Sequence, residues 1–331
     1  MKNFLLDTKK GVRFYSLARH ALLQALKLAG VKKGTKVLLP SYICGELLAP
    51  ISQLQAIPVW YEVDAHLQPF LPPKDWPNAR VVLAVNYFGF PQNLEPFQRY
   101  VVRTDATLIE DNAHGFLSRD DDGKWLGTRA PFSLFSVRKT ICVSDGAALL
   151  VNDPQAQECL PHQLPFNGSG FSPAQLYKAR LRRIPLIGDM LLSAGTALVR
   201  GARKMRTGSD LPQMDPNLES VLPSVANPWS GLRDALYSVN VEAEVVRRRQ
   251  AYLACAEVGN VAGVDPVFKE LPAHCAPYGF PFRSDESGRQ IIQSFANEQG
   301  FDLVTWPDLP QKIEKDAPEH YRNIFLVNFL W

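Results

Sequence analysis

Residues 107–115 read Thr-Leu-Ile-Glu-Asp-Asn-Ala-His-Gly, and residues 132–151 read Phe-Ser-Leu-Phe-Ser-Val-Arg-Lys-Thr-Ile-Cys-Val-Ser-Asp-Gly-Ala-Ala-Leu-Leu-Val. Each opens as a short apolar run and closes on ionisable side chains. Glu110 and Asp111 end the first, with His114 three residues after Asp111, and Lys139 ends the second. Ser144-Asp145-Gly146 then turns the chain into another apolar run, Ala147 to Val151. Short buried runs bounded by turn residues read as strands, and strands spaced by helical stretches make a mainly parallel sheet covered on both faces. Ligands of such sheets bind beyond the carboxyl ends of the strands, where these ionisable residues fall.

Working outward, the same alternation fills the first 150 residues. Arg19 to Gly30 has helical apolar spacing and a glycine stop; Lys36 to Leu39 is a strand closed by Pro40; Gly45 to Leu54 is helical. Pro58 to Val63 and Arg80 to Val85 are further strands. From Asn152 to about Pro228 the pattern changes and Pro, Gly and Ser thicken. Trp229 to Glu257 reads as one helix; Tyr278 to Arg283, Gly288 to Gln299 and Phe301 to Thr305 read as strand, helix and strand. The division this implies is a large α/β domain over residues 1–228, with a basic helical insertion at about 171–210, and a small C-terminal α+β domain over 229–331. The last apolar run, Ile324 to Trp331, meets no polar tail and reads as a shortened end.

Composition narrows the class. The 331 residues are 46% hydrophobic and 21% charged, with a formal net charge of +3, too balanced for a nucleic-acid protein. No apolar run approaches the ~18 residues of a membrane span, and the start, Met-Lys-Asn-Phe-Leu-Leu-Asp, lacks a leader's apolar core. The five cysteines, Cys44, Cys142, Cys159, Cys255 and Cys275, include no Cys-x-x-Cys pair, so neither a disulfide framework nor a zinc site is expected. They read as small buried side chains of a cytoplasmic enzyme.

Asp111 and Lys139 lie 28 residues apart, so both can occupy the tips of neighbouring strands. An ionised carboxylate and an amine that can lose its proton, facing one pocket, suit a carbonyl cofactor. The amine condenses with the carbonyl, and the carboxylate keeps a ring nitrogen protonated.

With these residues in place, the chain resembles the DegT/DnrJ/StrS sugar aminotransferases, pyridoxal-phosphate enzymes of fold type I. The resemblance runs from about Phe14 to Asp153, and returns more weakly after Trp229. It rests on four elements in order: KVLLPSYIC with IPVWYEVD, VNYFGFP, IEDNAHG and FSVRKTICVSDGAALLVND. The resemblance implies that Lys139 bonds the cofactor and moves a proton, that Asp111 pairs with the pyridine nitrogen, and that His114 lies beside the ring and its phenolic oxygen. It implies a phosphate held by the backbone of Leu17, Ala18 and Arg19 at a helix start, with a hydroxyl from Ser133 or Ser136. Tyr42 is placed on an early loop near the cofactor. Three positions depart from the family pattern: Ala18 and Ala147 stand for glycines, and Asn86 for a histidine.

The implied reaction moves an amino group from an amino acid, glutamate in this reading, to a keto-sugar carried on a nucleotide, in a homodimer. A sugar dehydratase of the same family would carry histidine in place of Lys139. A binding or regulatory protein that has lost catalysis is the alternative from another class. Two basic stretches stand apart. Arg247, Arg248 and Arg249 read as a solvated helix face or an intersubunit contact. Leu176 to Arg206 holds eight basic residues against the single acid Asp189. That segment is open to three readings: a solvated face, a peripheral contact with anionic lipid, or a flap that attracts a diphosphate.

Overall fold

The computed structural model describes residues 6, 10–141, 143–168, 202, 205–206 and 219–330. Cys142 and nearly all of the basic segment 176–206 lie outside the described residues, and with them the three readings of that segment.

Seven strands form the first sheet: β1 (Val12–Tyr15), β2 (Lys36–Pro40), β3 (Ile57–Tyr61), β4 (Val81–Val85), β5 (Thr107–Asn112), β6 (Phe132–Phe135) and β7 (Ala147–Val151). Their order is β1-β7-β6-β5-β4-β2-β3. The pairs β2–β3, β2–β4, β4–β5 and β5–β6 are parallel; β7 runs antiparallel to β6 and to β1. Every residue of β4, β6 and β7 is buried, as strands covered on both faces must be. Helix α1 (Ala18–Leu28) packs on β7, β6 and β1 through Ala21, Leu22, Ala25 and Leu26, a stripe at helical spacing. It stops before Gly30, whose φ of +76° suits a residue without a Cβ.

Because β2, β4, β5 and β6 are parallel, their carboxyl ends open on one edge of the sheet. Strand β5 runs on to Asn112, so Glu110 and Asp111 sit within it and the pleat sends them to opposite faces.

A second sheet joins β8 (Asp265–Pro266), β9 (Gly279–Arg283), β10 (Asp302–Thr305) and β11 (Ile324–Asn328) in the order β10-β11-β9-β8, antiparallel throughout. The expected strand-helix-strand is present, but its two strands are not neighbours. β11, from the apolar run at 324–331, separates them as an inner strand. The helix expected over Trp229–Glu257 is two helices, Leu232–Ser238 and Val241–Val261. Val239 is extended, and the Asn240 side chain restarts the helix by accepting the Ala243 N–H (3.2 Å). The first of the two, through Leu232 and Leu236, joins a core cluster with Phe14, Phe135 and Leu150 of the seven-stranded sheet. The second packs on β8 and β9 and on the helix Glu286–Glu298. Among the described residues no helix is long and apolar enough to cross a membrane.

The three consecutive arginines are not a solvated face. Arg248 is 1% exposed, bonded to the Glu244 carboxylate (2.7 Å) and to the carbonyls of Thr140, Pro277 and Tyr278. Arg249 donates to the carbonyls of Pro272 and Cys275, and Arg247 to Glu244 and the Phe329 carbonyl. The cysteines divide as well: Cys255 and Cys275 are buried, Cys159 is exposed, and Cys44 is half-buried.

Candidate active site

A cleft opens at the carboxyl edge of the parallel strands. Its wall includes Val85 at the end of β4, Asp111 near the end of β5, and Ser136 just past β6. Ile43, Cys44 and Glu46 follow β2, Leu17, Ala18 and Arg19 start α1, and Trp306 comes from the turn after β10. Lys139 lies on the short helical turn Val137–Lys139 that follows β6, and its side chain faces the same space. Parallel pairing of β5 with β6, Asp111 opposite Leu134, brings Asp111 and Lys139 to one wall.

The amine of Lys139 lies 3.2 Å from Nε2 of His114. The other ring nitrogen of His114, Nδ1, accepts the Phe88 N–H at 3.3 Å. A neutral imidazole that accepts at Nδ1 carries its proton on Nε2, so the histidine is set to donate to a neutral amine. The ring is held on both faces, stacked on Tyr278 (4.2 Å, 5°) and on Phe88 (5.7 Å, 13°), with Trp306 edge-on at 5.1 Å. Phe88 reaches this position with φ +53°, a left-handed backbone that bulky residues seldom adopt.

Burial shapes the ionisation of this group. Loss of solvent pulls the His114 pKa well below its ordinary value, and the positive charge of Lys139 pulls the same way. The Lys139 amine is also pushed down, first by burial and further by Arg138, while Cys44, Asp111 and Glu46 oppose the shift. Asp111 moves up because burial outweighs the Ala113 N–H that its Oδ1 accepts (2.8 Å) and the pull of Lys139. Each shift favours the uncharged form. Cys44 follows the same rule, its thiol raised mainly by burial.

These residues fit the pyridoxal phosphate that the sequence implies. Leu17 supplies no side-chain cap to α1, and the Ala18 and Arg19 side chains line the cleft beside it. Arg19 reaches Glu46 with one nitrogen (3.5 Å), while its Nη1 is buried without a partner. An uncapped helix start with an unsatisfied guanidinium nitrogen is a cradle for an anion. Of the two serines, Ser136 lines the cleft; Ser133 lies within β6, its hydroxyl buried and unpartnered. Tyr42, on the loop after β2, does not itself line the cleft. It is fully buried behind the cleft, donating to the Trp306 carbonyl (2.6 Å) and packed against Tyr87, Trp306 and Tyr321.

Two groups escaped the sequence reading. Trp306 comes from the far end of the chain, and nothing in its local pattern announces a cleft. Behind the cleft, Glu110 binds Arg129 (2.6 and 2.9 Å), the Asn86 amide (2.9 Å) and the Gly127 N–H (2.9 Å). Asn86, at the position where histidine is common, also bonds Asn112, Gln92 and Arg129, so this amide closes the network.

Comparison with known proteins bears on the family and the fold. Residues 6–175 match the DegT/DnrJ/EryC1/StrS aminotransferase family. The dTDP-3-amino-3,4,6-trideoxy-alpha-D-glucose transaminase of Streptomyces venezuelae is 30% identical over 149 residues. That match takes in 42% of this chain and 38% of the relative's own length. The aminotransferase TlmJ of Streptoalloteichus hindustanus superposes with a TM-score of 0.61 at 19% identity, over 96% of this chain and 80% of that one. The GDP-4-keto-6-deoxy-D-mannose-3-dehydratase of E. coli, solved with bound hydrated PLP, superposes with a TM-score of 0.57 at 15% identity, over 96% and 82%. An aminotransferase and a dehydratase share the architecture, so at these identities the fold is common ground and the chemistry rests on the side chains.

Proposed function

The chain belongs to the DegT/DnrJ/EryC1/StrS aminotransferase family, and we propose that it is a pyridoxal-phosphate enzyme that moves an amino group from an amino acid, glutamate in our reading, to a nucleotide-linked keto-sugar. The observation that carries the proposal is the meeting of Lys139, Asp111 and His114 in one cleft, the amine 3.2 Å from the imidazole. Bound there, pyridoxal phosphate supplies an aldehyde to take up the amino group and a ring that withdraws electrons from the carbon being deprotonated.

The side chains divide the remaining work. Lys139, with its pKa lowered by burial, has a neutral amine within reach at lower pH than a free lysine, and so accepts and returns a proton at Nζ. His114 orients that amine through Nε2 and excludes water with its stacked neighbours. Asp111 offers a carboxylate to the ring nitrogen, and the α1 start with Ser136 offers donors to the phosphate. Lys139 stands against the dehydratase reading, which calls for histidine at that position.

The test is spectroscopic. Adding pyridoxal phosphate to the protein should produce a visible absorption band that glutamate bleaches, and Lys139→Ala should abolish both while retaining the wild-type circular dichroism. A band of wild-type intensity and full turnover in the variant would remove Lys139 from the chemistry. A homodimer is part of the same reading, and sedimentation tests it.

A further inference from the structure

Arg138 immediately precedes Lys139 on the turn after β6 and lines the same cleft. Among the described residues no hydrogen bond or ion pair reaches its guanidinium, and its Nε is buried without a partner. The contrast with two other inward-facing arginines is sharp in chemical terms. Arg129 is paired with Glu110, and Arg248 with Glu244 and three carbonyls. Arg138 is half-buried on the cleft wall with no anion beside its guanidinium, whose five donors form a planar fork that matches a carboxylate. The nearest acid in effect, Asp145, stays more than ion-pair distance away. Its Oδ1 is engaged by the Trp229 N–H (3.0 Å), and its pKa is raised by burial despite the positive charge of Arg138.

We propose that Arg138 is the anchor for the carboxylate of the amino-acid donor. The inference rests on the aminotransferase reading for the identity of the ligand, and on the unsatisfied guanidinium for its chemistry. A donor held by its carboxylate at Arg138 presents its amino group beside Lys139, the next residue on the turn. The cleft's other guanidinium, Arg19, serves the start of α1. Its charge is felt at His20, whereas that of Arg138 is felt at Lys139, Tyr278 and Asp145. Arg19 at the start of α1 and Arg138 beside Lys139 give the cleft, in this reading, a phosphate end and a carboxylate end. The acids facing the cleft are Asp111 and Glu46, and Arg19 already bridges Glu46, so Arg138 stays free to receive an incoming anion.

The probe is glutarate, which has the carboxylates of a five-carbon donor but no amino group to transfer. Calorimetry on the pyridoxal-phosphate-loaded protein should show glutarate binding that weakens at least tenfold in Arg138→Gln, with Arg138→Lys between the two because a point charge keeps attraction but loses the fork. In turnover, Arg138→Gln should raise the KM for the donor with a smaller effect on kcat. Arg99→Gln, an exposed arginine on a distant helix, should change neither. Inorganic phosphate, titrated into the same variants without cofactor, separates the two ends of the cleft. If Arg138→Gln loses phosphate binding and leaves glutarate unchanged, the residue holds the cofactor and the proposal is overturned. Absence of glutarate binding in the wild-type protein overturns it too. If the protein takes up no pyridoxal phosphate but glutarate binding to the cofactor-free protein still depends on Arg138, Arg138 is a carboxylate site and it is the aminotransferase reading, with the donor as its ligand, that falls.

Discussion

Strand β5 buries two consecutive carboxylates and surrounds them differently. Glu110 is 0% exposed and has its oxygens filled by Arg129, Asn86 and the Gly127 N–H. Asp111, on the opposite face, accepts one hydrogen bond, from the Ala113 N–H, and turns to a cleft where an amine waits. Arginines repeat the contrast: Arg129 and Arg248 are saturated with partners, Arg138 is not. Where every bond of a buried charge is made within the protein, the charge specifies the fold. Where bonds are left open beside a cleft, stability has been given up for a ligand.

The largest expected effect comes from breaking the saturated side. Glu110→Ala strands the Arg129 charge, 12% exposed, among groups that cannot neutralise it, and should cost about 3–5 kcal/mol in urea unfolding. Asp111→Asn should leave stability at neutral pH unchanged or higher, because burial already disfavours that charge. It should still slow turnover severely, since a neutral amide cannot hold a proton on the ring nitrogen. Equal destabilisation by the two changes would erase the distinction between the faces of β5.

Lys139 sharpens the same point through pH. Its folded pKa is lowered, so between that value and the ordinary lysine value of 10.5 the unfolded chain binds the extra proton. Stability of the cofactor-free protein therefore rises with pH through that window. Lys139→Met, which removes the buried amine, should stabilise the protein most below the lowered pKa. The gain should fade as pH climbs to the ordinary lysine range. Urea midpoints for both proteins at pH 7 and pH 10 measure it. A gain that does not shrink at pH 10 would mean that methionine improves packing rather than relieving a buried charge.

What the sequence disclosed follows from how local each signal is. Asp111 and Lys139 were legible because each closes a short apolar run, and parallel strands carry their ends to one edge. The start of α1 was legible from its spacing and its glycine stop. Arg129 was not, because it belongs to an irregular connection between β5 and β6, where no period says which side chain turns inward. Arg248 was misread since three arginines in a row resemble a wet helix face; only the tertiary position of Thr140, Pro277 and Tyr278 turns the middle one inside. Tyr42 and Ser133 lie close to the cleft in sequence but do not line it. Position along a loop or strand gives proximity to the cleft, but only the pleat and the packing decide which side chains face it.

His114 provides the smallest and most specific test. Its neighbours Tyr278, Phe88 and Trp306 are uncharged, and Lys139 repels a second positive charge, so the folded imidazole stays neutral well below its ordinary pKa of 6.5. In the unfolded chain it protonates near 6.5. Between the two values the unfolded state binds more protons, so stability falls as pH falls through that window. His114→Gln keeps a polar group able to accept from the Phe88 N–H and to meet the Lys139 amine, yet it cannot titrate. The variant should lose less stability than wild type between pH 7.5 and pH 5, measured as the shift in urea midpoint. His20, whose pKa is also lowered by burial, contributes equally to both proteins and drops out of the difference. Parallel pH profiles for the two would show that the folded protein accepts an imidazolium between Tyr278 and Phe88, and His114 would then be a charged partner of the cleft rather than a neutral donor.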